Sequence, residues 1–147
     1  MDKAPIKILN LSHNNIGDKG AEHLAEVLKV KRTLIELHLN DNRISDRGVQ
    51  LLANALCDRR TNLAKLYLHN NRLMSNLSAG YLTKMLNQNR SLNTLWLMDC
   101  NLTNADKEQL KQAVASKRKF SFACGSIGLV NKKPLKCSMN IYVLDTK

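Results

Sequence analysis

The chain has 147 residues and a net charge of +11, and only 4% of its residues are aromatic. This length suits a single domain whose core must be filled by aliphatic side chains. Residues 1–5 lack the apolar run of a secretory signal, and no stretch is long and apolar enough to cross a membrane. We therefore expect a cytoplasmic protein with free thiols, and the excess of basic residues favours an acidic partner.

Four segments of the chain align with one another residue for residue. They cover residues 6–16, 34–44, 63–73 and 92–102, so their starting points lie 28 or 29 residues apart. Each fits the pattern L-x-x-L-x-L-x-x-N/C-x-L, with isoleucine in some of the leucine positions. The central L-x-L of each segment predicts a short strand with one buried face.

The ninth position of the pattern is asparagine in three segments, at Asn14, Asn42 and Asn71. It falls where the chain turns away from the strand, and a side-chain amide there can satisfy backbone donors and acceptors together. In the fourth segment the position is Cys100, which we interpret as a structural rather than a catalytic thiol. The four cysteines contain no C-x-x-C pair, so no zinc or redox motif is predicted.

Between the strands the apolar period changes from two to about 3.6, which predicts amphipathic helices. Their expected ranges are 18–29, 46–56, 78–89 and 104–117. Asp18, Asp46 and Asn104 stand at the start of three of them, where Asp and Asn are favoured. In the third helix the apolar stripe is displaced by about one residue relative to the others.

Each unit is therefore a strand, a turn, a helix and a loop, and no unit can bury its own apolar edge. The units must stack, and because helices are wider than strands the stack must curve. The predicted fold class is α/β: a curved leucine-rich-repeat solenoid, a horseshoe segment with the parallel sheet inside and the helices outside.

The turn sequences NNIGDKG (14–20) and NRISDRG (42–48), together with the period, resemble leucine-rich repeats of the ribonuclease-inhibitor type. Similar units occur in the sensing regions of NOD-like receptors, in Ran GTPase-activating proteins and in tropomodulin-like proteins. The resemblance covers residues 6–119 and implies recognition of a protein partner. It does not favour any one of these functions.

The repeat pattern predicts two parts. Residues 1–119 hold four repeats starting at 6, 34, 63 and 92, and residues 120–147 form a degraded fifth repeat, a cap or a loosely ordered tail, with a functional tail as the alternative. The first repeat leaves little room for an N-terminal cap. An open strand edge invites pairing, so we expect either a fragment of a longer array or self-association through the uncapped solenoid ends.

The strand positions between the buried leucines should line the concave face. The middle column contains His38, Tyr67 and Trp96, which would form an exposed semi-aromatic stripe. Large rings with polar tips often anchor protein interfaces, although such rings can also simply cover one another. The predicted partner-binding residues of the concave face are Glu36, His38, Asn40, Lys65, Tyr67, His69, Trp96, Met98 and Asp99.

Basic residues recur before each strand and should align along one rim. The predicted basic rim consists of Lys31, Arg32, Arg59, Arg60, Arg90, Lys117 and Arg118. Cations after a helix C-terminus complement its dipole, and they can also steer an acidic partner. Nucleic acid is the less favoured ligand, because the concave face is not itself positive: Glu36, Asp41 and Asp99 outnumber Lys65 there.

These patterns favour a binding protein over an enzyme. No serine elbow, glycine-rich phosphate loop or HExxH helix is present, and a shallow open sheet does not exclude water. We expect no catalytic residue, cofactor or metal site. The predicted function is a protein–protein interaction scaffold or receptor-type recognition segment, with an inhibitor or regulator of an enzyme or small GTPase as the alternative, and nucleic-acid binding through the basic rim as another.

Overall fold

The computed structural model describes residues 4–115, 117, 120–124 and 141–142, the last two as backbone only. Strands and helices alternate through the first four repeats. The strands are β1 (Ile8–Asn10), β2 (Glu36–His38), β3 (Lys65–Tyr67), β4 (Thr94–Trp96), β5 (Ser121–Ala123) and β6 (Ile141–Tyr142). The helices are α1 (Asp18–Val30), α2 (Asp46–Leu56), α3 (Asn76–Gln88) and α4 (Asn104–Ala115).

The strands form a single parallel sheet in chain order from β1 to β6. Pairing keeps equivalent repeat positions side by side, with Leu37 opposite Leu66 and Leu66 opposite Leu95. These leucines are fully buried. The parallel sheet with alternating helices confirms the predicted α/β leucine-rich-repeat solenoid.

The helices pack their apolar stripes against one face of the sheet. In α2 the buried stripe contains Val49, Leu52, Ala53 and Leu56, as the 3.6-residue period predicts. Consecutive helices contact one another along the solenoid. The core is therefore one continuous aliphatic layer between sheet and helices, which leaves the other face of the sheet open.

The turn asparagines of the second and third repeats, Asn42 and Asn71, bond across the repeats. The Asn71 side chain donates to the carbonyls of Leu39 and Leu68, at 2.9 and 2.8 Å, and accepts from the amide of Ile44 at 3.0 Å. Cys100 holds this position in the fourth repeat, and its Sγ lies 3.4 Å from the Leu68 carbonyl. The predicted dual role of the turn amide is confirmed.

The first residue of each of the first two helices ties its repeat to the next. The Asp18 carboxylate accepts from the amide and hydroxyl of Ser45, at 2.9 and 2.6 Å, and from the amide of Gly48 at 3.0 Å. Asp46 repeats this arrangement with Ser75 and Ser78. These aspartates were expected only to favour their own helix starts. They also satisfy donors at the start of the following helix.

The third repeat differs from the pattern at its last leucine. Leu73 occupies the position that is buried as Ile44 in the second repeat, yet it is 59% exposed. Met74 is buried in its place, at 1% exposure. One extra residue between strand and helix moves Leu73 outward, and α3 begins at Asn76, two residues earlier than predicted, because Ser75 caps it.

The segment after the fourth helix is described only in part. Strand β5 continues the sheet with Phe122 opposite Leu95, and the backbone of residues 141–142 pairs with β5. Residues 125–140 and 143–147, on which the cap or tail interpretation depends, lie outside the described residues.

Candidate partner-binding face

The middle column of the open sheet face carries a row of contacting rings. His38, Tyr67 and Trp96 lie on neighbouring strands in register. The His38 and Tyr67 rings are stacked, with centroids 4.3 Å apart and planes inclined by 15°. The Tyr67 ring meets the Trp96 indole edge-on, at 5.4 Å and 74°. All three side chains are half-buried, so the row still presents surface to solvent.

A pair of opposite charges lies beside the rings. The Glu36 carboxylate contacts Lys65 Nζ at 3.0 Å and His38 Nε2 at 2.8 Å. The hydrogen bond from Lys65 lowers the pKa of Glu36, and the same contact raises the pKa of Lys65. Because the two charges compensate each other, this part of the face is polar without a strong sign.

Two of the predicted contact residues are buried. Met98 and Asn40 each expose only 8% of their surface. The Asn40 side chain is fixed by Ser12 Oγ at 2.6 Å and by Asp41 Oδ2 at 2.8 Å. Met98 is covered by its surroundings instead of standing in solvent. The prediction of Met98 and Asn40 as contact residues is therefore wrong, because both side chains are enclosed.

Three enclosed polar atoms on this face have no hydrogen-bond partner among the described residues: Trp96 Nε1, His69 Nδ1 and Asn70 Oδ1. The His69 ring lies 6.3 Å from the Trp96 ring and is tilted by 52°. Burial lowers the pKa of His69, which favours the neutral ring. An unpaired buried polar group costs about 1–3 kcal/mol.

The column of residues at the turns after the strands has a left-handed backbone in all four repeats. The φ angles are 60° at His13, 55° at Asp41, 60° at Asn70 and 53° at Asp99. Asn, Asp and His adopt this conformation more readily than other side chains with a Cβ. Asp41 accepts from Asn40 and Asn70, and these bonds lower its pKa. This column is held rigidly by its own hydrogen bonds.

The predicted basic rim is only partly available. Five of its residues are exposed: Lys31, Arg32, Arg59, Arg60 and Arg90. Arg60 also pairs with Asp58 at 2.8 Å and holds the pKa of that carboxyl at about 2. Lys117 Nζ donates to the carbonyl of Asn89 at 2.8 Å, and burial lowers the pKa of this lysine. Arg118 lies outside the described residues.

Cys100 has the environment of a packed thiol. It is buried, and desolvation raises its pKa to about 12. A thiol with this pKa remains protonated at neutral pH and is a poor nucleophile. Among the described residues, no group of three or more His, Cys, Asp or Glu side chains is placed to hold a metal ion.

Comparison with known proteins agrees with this architecture. A family model described as Leucine Rich repeat matches residues 4–25 and 30–53. The family match covers the first two repeats, and the fold of the chain is that of a leucine-rich-repeat solenoid. A similar solved structure is actin-binding site 2 of leiomodin-1, with a TM-score of 0.68 at 15% identity over 84% of this chain and 72% of that chain. Likeness at this identity shows the fold alone. The curated proteins contain no match.

Sequence reasoning missed two features of the leucine-rich-repeat solenoid. The enclosed indole nitrogen of Trp96 depends on how neighbouring rings tilt, which no sequence pattern specifies. The exposure of Leu73 did leave a signal, since the apolar stripe of the third helix is displaced by one residue. No helix in the described part of the chain is long and apolar enough to cross a membrane.

Proposed function

We propose that the solenoid is a protein-recognition scaffold that binds a partner protein on its concave face. The supporting observation is the row of His38, Tyr67 and Trp96, which places three contacting rings on the open side of the sheet. Rings that are already packed lose little conformational entropy on binding, and Trp and Tyr are frequent energetic anchors of interfaces. Trp96 is the strongest candidate anchor because tryptophan is among the residue types most enriched at the energetic centres of interfaces.

We predict that Trp96→Ala weakens partner binding by more than about 2 kcal/mol, which is about thirtyfold in affinity. Trp96→Phe removes the N–H donor but keeps an aromatic ring, and because of that ring it should weaken binding less than Trp96→Ala. The measurement is affinity capture from native lysate with the wild type and both variants, followed by calorimetry with the identified partner. Lys84→Ala, an exposed position on α3, is the matched control.

The anchor role requires the variants to remain folded. Trp96 is half-buried, so far-UV circular dichroism and the melting temperature of each variant must be compared with the wild type. A folded Trp96→Ala protein that binds the partner as tightly as the wild type would refute the proposed site.

The chemistry of the partner is the second part of the proposal. The net charge of +11 and the exposed rim residues Lys31, Arg32, Arg59 and Arg90 favour an acidic protein, in a cytoplasmic setting. Actin, named for the leiomodin-1 fragment, is a reasonable first protein to test by co-sedimentation. An inhibitor or regulator of an enzyme or small GTPase would change the activity of the captured partner, whereas a scaffold would not.

Exposed apolar side chains at the first repeat support self-association as a further part of the proposal. Ile6, Ile8 and Val30 are 64%, 62% and 73% exposed there, beside a groove of about 390 Å³ lined by Pro5 and Leu9. Covering these side chains would remove apolar surface from water. Mass measurement in solution over a range of concentrations tests this part independently of the concave face.

A further inference from the structure

We infer a second binding surface, on the edge of the solenoid where the third repeat passes from strand to helix, for an acidic amphipathic segment of a protein partner. We name it the leucine–arginine ridge, and it consists of Leu73 and Leu77 with Arg43, Arg47 and Arg72. It is separate from the concave face and does not depend on the function proposed for that face.

Both leucines of the ridge are exposed, and neither is needed for the packing of the core. Leu73 is 59% exposed because Met74 takes its core position, and Leu77 is 57% exposed in the first turn of α3. In α2 the position equivalent to Leu77 is Arg47, since both amides donate to the capping serine of their own helix at 3.3 Å. A polar side chain therefore fits this position, and the leucine is not needed for packing.

The inter-repeat bonds bring the three arginines to the same edge. The bond from the Ile44 amide to Asn71 Oδ1, at 3.0 Å, joins the residue after Arg43 to the residue before Arg72. The bond from the Ser75 amide to Asp46 Oδ1, at 2.7 Å, similarly places the start of α3 beside the residue before Arg47. The leucines thus lie among basic neighbours.

The positive charge of the ridge is not neutralised within the described residues. Arg43, Arg47 and Arg72 are exposed, and none of them takes part in a described ion pair. The nearby carboxylate of Asp46 faces the hydroxyls and amides of the next repeat. Asp99 shares a shallow depression with Arg72, and neither Arg43 nor Arg47 lines it.

The combination of exposed leucines and exposed arginines determines which kind of partner segment the ridge can bind. Guanidinium groups bind carboxylates through paired, charge-assisted hydrogen bonds, and two leucines require apolar side chains between those carboxylates. A helix with acidic and leucine residues on one face provides both. Single-stranded nucleic acid would need aromatic side chains on which its bases could stack, and the ridge contains none.

The test uses a fluorescein-labelled synthetic helical peptide of about 18 residues that carries Glu and Leu on one face. Two companion peptides replace Glu with Lys or Leu with Ser. Fluorescence anisotropy then measures the binding of each peptide to the full chain. We expect the Glu/Leu peptide to bind at least about tenfold more tightly than either companion, because only it satisfies both halves of the ridge.

Two ridge variants should each lower the affinity for the Glu/Leu peptide about tenfold. They are L73S with L77S, and R43Q with R47Q and R72Q. The matched control removes one exposed apolar residue and two exposed cations away from the ridge and the basic rim, as I35S with K7Q and K29Q. Both this control and Trp96→Ala should remain within about twofold of the wild type.

Three outcomes would overturn the inference. One is equal binding of the three peptides, and another is an equal loss of affinity in the ridge and control variants. The third is tighter binding of a poly(U) probe than of the Glu/Leu peptide, with that binding lost in the arginine variant. All residues substituted in the two ridge variants and in the matched control are exposed, so unchanged melting temperatures are expected and ensure that a loss of binding is not a loss of fold.

Discussion

At the residue scale, the turn asparagine contributes more to stability than its size suggests. Asn71 is fully buried, and its side-chain amide bonds one donor and two acceptors of the backbone. These backbone groups belong to the second and third repeats. Those backbone groups have no access to water, so the side chain is their means of satisfaction. Asn14 in the first repeat is exposed and donates to the Ser12 carbonyl at 2.7 Å.

We predict that Asn71→Ala lowers the free energy of unfolding by about 3 kcal/mol, because buried backbone groups lose their partners. Asn14→Ala should lower it by less than about 1 kcal/mol, because water can replace the exposed bond. Urea denaturation of both variants checks this difference. Equal losses in the two variants would show that the hydrogen bonds between repeats stabilise the fold no more than the exposed bond of Asn14 does.

The same residue scale shows what a sequence can and cannot specify. The inward direction of Leu66 and the role of Asn71 follow from a repeated pattern, because every repeat imposes the same packing on them. The burial of Met98 and the enclosed nitrogen of Trp96 depend on side-chain orientations that adjacent columns determine jointly. Leu73 is an intermediate case. The displaced stripe of α3 indicated an irregularity in the third repeat but not the residue at which it occurs.

At the element scale, the start of α3 is held by a residue from the preceding helix. Asp46 accepts four hydrogen bonds from Ser75 and Ser78. Burial alone would raise the pKa of Asp46, yet these bonds outweigh it and the pKa is lowered. A carboxyl whose pKa is lower in the folded chain stabilises the fold above its unfolded pKa.

We predict that Asp46→Asn lowers the free energy of unfolding by about 1–3 kcal/mol at neutral pH. The difference from the wild type should shrink as the pH falls below about 4, because the unfolded chain is protonated there first, and it should be lost once the folded carboxyl is protonated as well. Urea denaturation at several pH values measures it. Asn76→Ala, which alters the exposed first residue of α3, is the matched control. A difference that does not change with pH would contradict the assigned role of the charge.

At the scale of the whole molecule, the carboxylate links do not continue to the last helix. Asp18 joins α1 to α2 and Asp46 joins α2 to α3, but α3 begins with Asn76. In the fourth repeat Asp106 accepts from Thr103 of its own repeat, at 2.8 and 2.6 Å. The fourth repeat therefore lacks the equivalent bond to its neighbour within the described residues.

We predict that amides of α4 exchange with solvent at least about tenfold faster than amides of α2 under native conditions. The solenoid is stabilised mainly by contacts between neighbouring repeats, so a more weakly linked repeat should open first. Hydrogen exchange followed by mass spectrometry checks the two helices in one experiment. Equal protection of α2 and α4 would show that the solenoid opens as a single cooperative unit.

The left-handed column on the concave side also limits how this surface can be redesigned. His13, Asp41, Asn70 and Asp99 share a backbone that strains most other side chains. New specificities can therefore be selected by randomising the ring column, where the backbone is an ordinary strand. A combinatorial library should keep the left-handed column to glycine, asparagine, aspartate and histidine, and most of its diversity will then remain foldable.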